Sequence, residues 1–170
     1  MKNISKFMLA AILLSTFLFN GSARNVSAKE QKIMEFNTMV GVPQALTGIN
    51  SQAPLRGING GGIPWMINSG SGKLTANGHL EIEVKGLVLA AGANAGSNPV
   101  TSFRALVSCV KSDGSFENIL TGAFPATTGP ASTGGGNAEI DANLSLPQPC
   151  IAPIIFVTSP GGSWFAATGF

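Results

Sequence analysis

Apolar and polar positions alternate strictly over residues 79–85, with Leu80, Ile82 and Val84 against Glu81, Glu83 and Lys85. A period of two marks a strand with one buried and one wet face. Residues 138–146 repeat it: Ala138, Ile140, Ala142, Leu144 and Leu146 inward, Glu139, Asp141, Asn143 and Ser145 outward. Over residues 100–111 one face carries Phe103, Ala105, Val107 and Cys109. The other mixes Arg104 and Ser108 with Leu106 and Val110, which predicts burial of part of both faces. Shorter runs at 63–67, 73–76, 87–89, 115–121, 154–158 and 163–168 also read as strands.

Turn chemistry separates these runs. Asn77-Gly78 predicts a hairpin with φ > 0 at both residues. Asp113-Gly114 and Ser159-Pro160-Gly161-Gly162 predict two more. Residues 68–72 read as a turn, 90–99 as a small-residue loop and 122–136 as a long mobile loop. Residues 29–40 fit neither a helical nor a strand period. Pro43 and Pro54 then favour loop or edge strand. The sum is an all-β domain of seven to nine short strands, an antiparallel β-sandwich or an open barrel.

The pattern of residues 1–28 is of another kind. Lys2 and Lys6 precede an apolar run over residues 7–19, and a polar stretch ends in small residues at Ala28. This is the layout of a secretory signal peptide, and its apolar run is shorter than a membrane span. Cleavage is expected after Ala28, with Ala23 as the second site. The expected organisation is therefore signal peptide 1–28, an N-terminal extension or edge element over 29–54, and a β-sandwich domain over 55–170. No membrane span is expected after cleavage.

Cleavage also changes the charge. The full chain carries +2. Removing Lys2, Lys6 and Arg24 leaves seven basic against eight acidic residues, a net −1. That gives no electrostatic footprint for nucleic acid. Charged residues are only 11% of the chain, so the surface leans on Gly, Ser, Thr and Asn. Cys109 and Cys150 are the only cysteines, and in an exported chain they are expected to pair.

Candidate chemistry is sparse. The triple glycine at residues 60–62 lacks the Lys-Ser/Thr of a phosphate loop and reads as a flexible turn. Residues 134–136 read the same way. His79 is the single histidine, so any Ser-His-Asp triad or histidine-based zinc site would depend on it, and no Gly-x-Ser-x-Gly elbow exists. Glu81 with Glu83, and Glu139 with Asp141, each lie on the wet face of a strand. If those strands were neighbours, four carboxylates would meet, able to bind calcium or to act as acid and base. Trp65 and Trp164 are candidate sugar-stacking residues. Trp164 and Phe165 cannot share a side of a regular strand. The terminal Phe170 matches the ending of outer-membrane barrels, but the rest of the chain lacks their long strands and aromatic girdles.

Two stretches carry a resemblance. One is residues 60–67 (GGGIPWMI), continuing into residues 80–89 (LEIEVKGLVL). The other is residues 149–158 (PCIAPIIFVT), with the ending WFAATGF at residues 164–170. Over residues 55–170 the chain resembles a family of small secreted bacterial proteins of unknown function. The resemblance implies bacterial export and one compact domain, and it brings no catalytic residues. The favoured expectation is a secreted, non-enzymatic binding or structural module without cofactor. Its partner would be a cell-surface or matrix polymer, or a protein. Alternatives are a small-ligand or lipid carrier with a barrel cavity, and a secreted hydrolase using the carboxylates.

Overall fold

The computed structural model describes residues 31–48 and 54–168. The expected leader and Phe170 lie outside the described residues. The elements are β1 (Lys32–Phe36), β2 (Met39–Gly41), β3 (Trp65–Met66), β4 (Ser69–Thr75), β5 (His79–Lys85), β6 (Val88–Leu89) and β7 (Ser97–Asn98). They continue as β8 (Ser102–Val110), β9 (Phe116–Leu120), β10 (Phe124–Pro125), β11 (Gly129–Pro130), β12 (Ala138–Asn143), β13 (Ile151–Thr158) and β14 (Trp164–Thr168). Five of the fourteen are two-residue pieces, which leaves nine longer strands among the described residues.

Two antiparallel sheets face each other as a sandwich, not a closed barrel. The four-stranded sheet runs β1-β4-β5-β12, and the larger sheet runs β10-β8-β13-β14-β2 with β9 also on β8. The alternation in β5 and β12 places Leu80, Ile82, Val84 and Ile140 inward, where they join Phe36 and Leu74 in the core. The larger sheet contributes Phe103, Ala105, Val107, Ile155, Val157 and Ala166. β8, β13 and β14 lie inside the larger sheet, and their outward side chains Leu106, Phe156 and Trp164 are buried as well.

A bulge settles the Trp164–Phe165 question. Ala166 pairs with Val157 but Trp164 pairs with Thr158, so Phe165 is an extra residue in β14. Trp164 turns to the outer face and meets Phe156 edge-on at 5.8 Å. Phe165 turns into the core, where it stacks on Trp65 at 3.8 Å and meets Phe103 edge-on at 6.0 Å. They lie on opposite sides, and both are buried.

The disulfide joins Cys109 to Cys150 with Cα atoms 4.9 Å apart. It ties β8 to the start of its neighbour β13. Just past it, Ala152 takes φ 43° at an irregularity in β13. The segment around Arg56 closes over this point. Arg56 (φ 50°) and Gly57 (φ 80°) are the central residues of a tight turn closed by Ile58 N–H to Leu55 O. The Arg56 guanidinium donates to Ser108 O at 2.7 Å and Ala152 O at 2.8 Å, and it lies over the Phe116 ring.

Three expectations need correction. Residues 68–72 are not a turn: β4 starts at Ser69. Gly70 and Gly72 sit there because side chains on neighbouring strands need the room. A Cβ on Gly72 would lie 2.8 Å from Phe36 Cζ, and one on Gly70 would strike the Met39 side chain. The Asn77-Gly78 hairpin has φ > 0 only at Gly78. Gly78 N–H bonds Thr75 O, and Thr75 Oγ1 pairs with Asn77 Oδ1, which makes a three-residue loop closed by a left-handed glycine. Residues 122–136 are built into the fold as well. β10 pairs with β8 and β11 with β7. Buried Asn98 donates to Val100 O and Thr127 O, both at 2.8 Å.

Candidate functional site

The four carboxylates meet. β12 lies beside β5 in a register that sets Glu139 opposite Glu83 and Asp141 opposite Glu81. Pairing of β4 with β5 puts Lys73 opposite Glu81, and pairing of β1 with β4 puts Glu35 opposite Lys73. One polar row therefore crosses the whole sheet: Glu35, Lys73, Glu81, Asp141. Two residues along, Ser71, Glu83 and Glu139 form a second row, which Asn37 extends beyond the end of β1.

Between and over these rows runs an open trough of ≈ 830 Å³. It spans three inter-strand steps, about 14 Å, and the rows stand about 7 Å apart, two residues of strand rise. Ser71 is small, which leaves the trough its depth in the middle. Phe36, Ile82 and Ile140 belong to the core, so their backbone rather than their side chains contributes to the floor.

Like charges directly across an antiparallel pair destabilise it, and lysines on the face offset this. Lys73 Nζ lies 3.0 Å from Glu81 Oε1 and Lys85 Nζ 2.7 Å from Glu83 Oε1. His79 Nε2 lies 3.1 Å from Asp141 Oδ1 and 3.6 Å from Glu81 Oε1. Lys32 pairs with Glu35. The hydrogen bond and charge of Lys32 hold the Glu35 carboxyl below the usual range. The hydrogen bond and charge of Glu83 raise Lys85. The charge of Glu139 adds to the rise of Lys85, without a direct contact between the two. Among the described residues, the acids outnumber the lysines on this face, five to three.

No group of three or more His, Cys, Asp or Glu side chains converges as a metal site among the described residues. The calcium reading of the carboxylates thus has no coordination geometry behind it. The carboxylates also share one open environment: Glu81, Glu83 and Asp141 are 42%, 51% and 74% exposed. Nothing in burial separates an acid from a base. His79 Nε2 faces the carboxylates of Asp141 and Glu81 at the trough's end.

The aromatic candidates go elsewhere. Trp65 and Trp164 are 5% and 3% exposed, so the sugar-stacking expectation gives way to core packing. Two of the three glycines, Gly60 and Gly61, answer to close packing rather than to a flexible turn, while Gly62 has open space around it. A Cβ on Gly61 would lie 2.9 Å from the Phe165 ring and 3.1 Å from Trp65 Nε1. Sequence reading missed Arg56 because its partners are backbone carbonyls far along the chain, which leave no side-chain signature. No helix among the described residues is long and apolar enough to cross a membrane. Comparison with protein-family models, curated proteins and solved structures finds no match.

Proposed function

We propose that the chain is an exported, non-catalytic binding module that presents the outer face of its four-stranded sheet to a cell-surface or matrix partner. The observation that carries this is the trough. It is a concavity of ≈ 830 Å³ that crosses every strand of the sheet, with charged and polar side chains along both walls. The leader pattern of residues 1–28 and the disulfide support export.

The other readings draw less support. A carrier needs a continuous apolar cavity. Here Phe103, Ile155, Leu74 and Leu80 fill the interior, and the trough is charged. A hydrolase needs two carboxyls in different environments within a cleft, and these share one open face.

The test is thermal unfolding of the purified protein against surface glycans, peptidoglycan fragments, fatty acids and calcium. A ligand of the folded state raises stability by RT ln(1 + [L]/Kd). The expected result is a shift with a polymer, abolished by Glu83→Gln with Glu139→Gln. A shift only with fatty acids would establish the carrier reading instead.

A further inference from the structure

We propose that the trough takes a linear amino-sugar polymer, lying across the strands with its primary ammonium groups against the paired carboxylates Glu81/Asp141 and Glu83/Glu139. This rests on the sheet-face reading above and names its ligand class.

The shape argues for a linear ligand. The trough is open, long in the cross-strand direction and about two strand residues wide. A chain can lie in it, whereas a compact ligand would leave most of the walls unused. The charge argues for a cation. Carboxylates stand in facing pairs at the β5–β12 end, where Lys85 bonds Glu83 and reaches Glu139 only through its charge. An ammonium placed between two facing carboxylates relieves the repulsion that the register imposes.

A glycan fits better than a peptide. Extended peptides gain affinity by adding main-chain hydrogen bonds at a sheet edge. Across a sheet face the strand backbones already bond to one another within the sheet, so a peptide backbone finds no partners there. Sugar hydroxyls do find partners, in Ser71, Asn37 and the carboxylate oxygens. A neutral glycan fits less well than an aminated one. The single aromatic at the trough is Phe36, and it is 8% exposed, which leaves no stacking platform. Charge must supply what stacking does not.

The experiment measures binding to the purified, folded protein by calorimetry. The probes are a β-linked glucosamine hexamer, its fully N-acetylated counterpart and hexalysine. The expected result is binding of the glucosamine hexamer that weakens as salt rises. Glu83→Gln with Glu139→Gln should weaken it roughly tenfold or more. Ser71→Lys, which places a like charge on the trough floor, should do the same. Glu117→Gln, on the exposed β9 of the other sheet, should leave it unchanged. Melting curves confirm that each variant is folded. Absence of hexamer binding, equal binding of the acetylated form, or indifference to the trough variants overturns the proposal. Equal or tighter binding of hexalysine through the same residues overturns the glycan assignment and keeps the sheet face. A different ligand lost in the trough variants leaves the binding-module reading standing alone. Ligand binding that no trough variant touches removes both.

Discussion

Arg56 adopts φ 50° without being a glycine, a conformation that costs an L-residue about 1–2 kcal/mol. Two carbonyls repay it. The guanidinium fork bridges Ser108 O on β8 and Ala152 O on β13, beside the disulfide. Partial burial lowers its pKa from the ordinary guanidinium value, but the group stays cationic at any physiological pH. Arg56→Ala should destabilise the fold by about 2 kcal/mol, the scale of hydrogen bonds to a charged group. Arg56→Lys should recover little, because a point ammonium does not match a two-carbonyl fork. Urea midpoints of the three proteins decide this; a lysine variant as stable as the wild type would reject the fork.

At the scale of elements, the three hairpins share one turn. Gly78, Gly114 and Gly162 each donate N–H to the residue three before, Thr75, Lys111 and Ser159, and each has φ between 81° and 92°. Alanine at Gly114 or Gly162 has open space around it and should cost only the left-handed penalty, about 1–2 kcal/mol. Gly78→Ala should cost more, because its Cβ would run into Leu144 O. Melting temperatures should fall in that order. Equal losses at all three would mean that the Leu144 contact yields. Hairpin positions were legible because Asn-Gly, Asp-Gly and Pro-Gly-Gly mark turns locally. The loop geometry was not, because Asn77 accepts hydrogen bonds from Thr75 and His79 instead of taking φ > 0. The clean alternations in β5 and β12 located the carboxylates, yet their meeting depended on a register between residues more than fifty apart. The Ser-Gly-Ser-Gly run misled for a related reason. Its glycines answer to Met39 and Phe36 on other strands, and local composition carries no trace of that. The buried tryptophans belong here too, since one inserted residue in β14 lets Trp164 and Phe165 fill two different layers.

At the scale of the molecule, the larger sheet has two buried faces at its centre, and the disulfide fixes the pairing of its longest strands. The bond closes a sequence separation of 41, for which the chain-entropy estimate is about 4 kcal/mol. Cys109→Ala with Cys150→Ala should lower the urea midpoint accordingly while far-UV circular dichroism stays that of β structure. An unchanged midpoint would show the bond to be irrelevant to stability.

β14 has a consequence for how the protein is made. It is the last of the described strands to leave the ribosome, yet it lies between β13 and β2 and supplies Trp164 and Phe165 to two packed layers. Until it emerges, β2 has no partner in its sheet, Trp65 has no ring to stack on, and Phe156 faces an empty slot. Contacts of such long sequence separation form slowly. The larger sheet therefore closes only at the end of synthesis, however early the four-stranded sheet pairs.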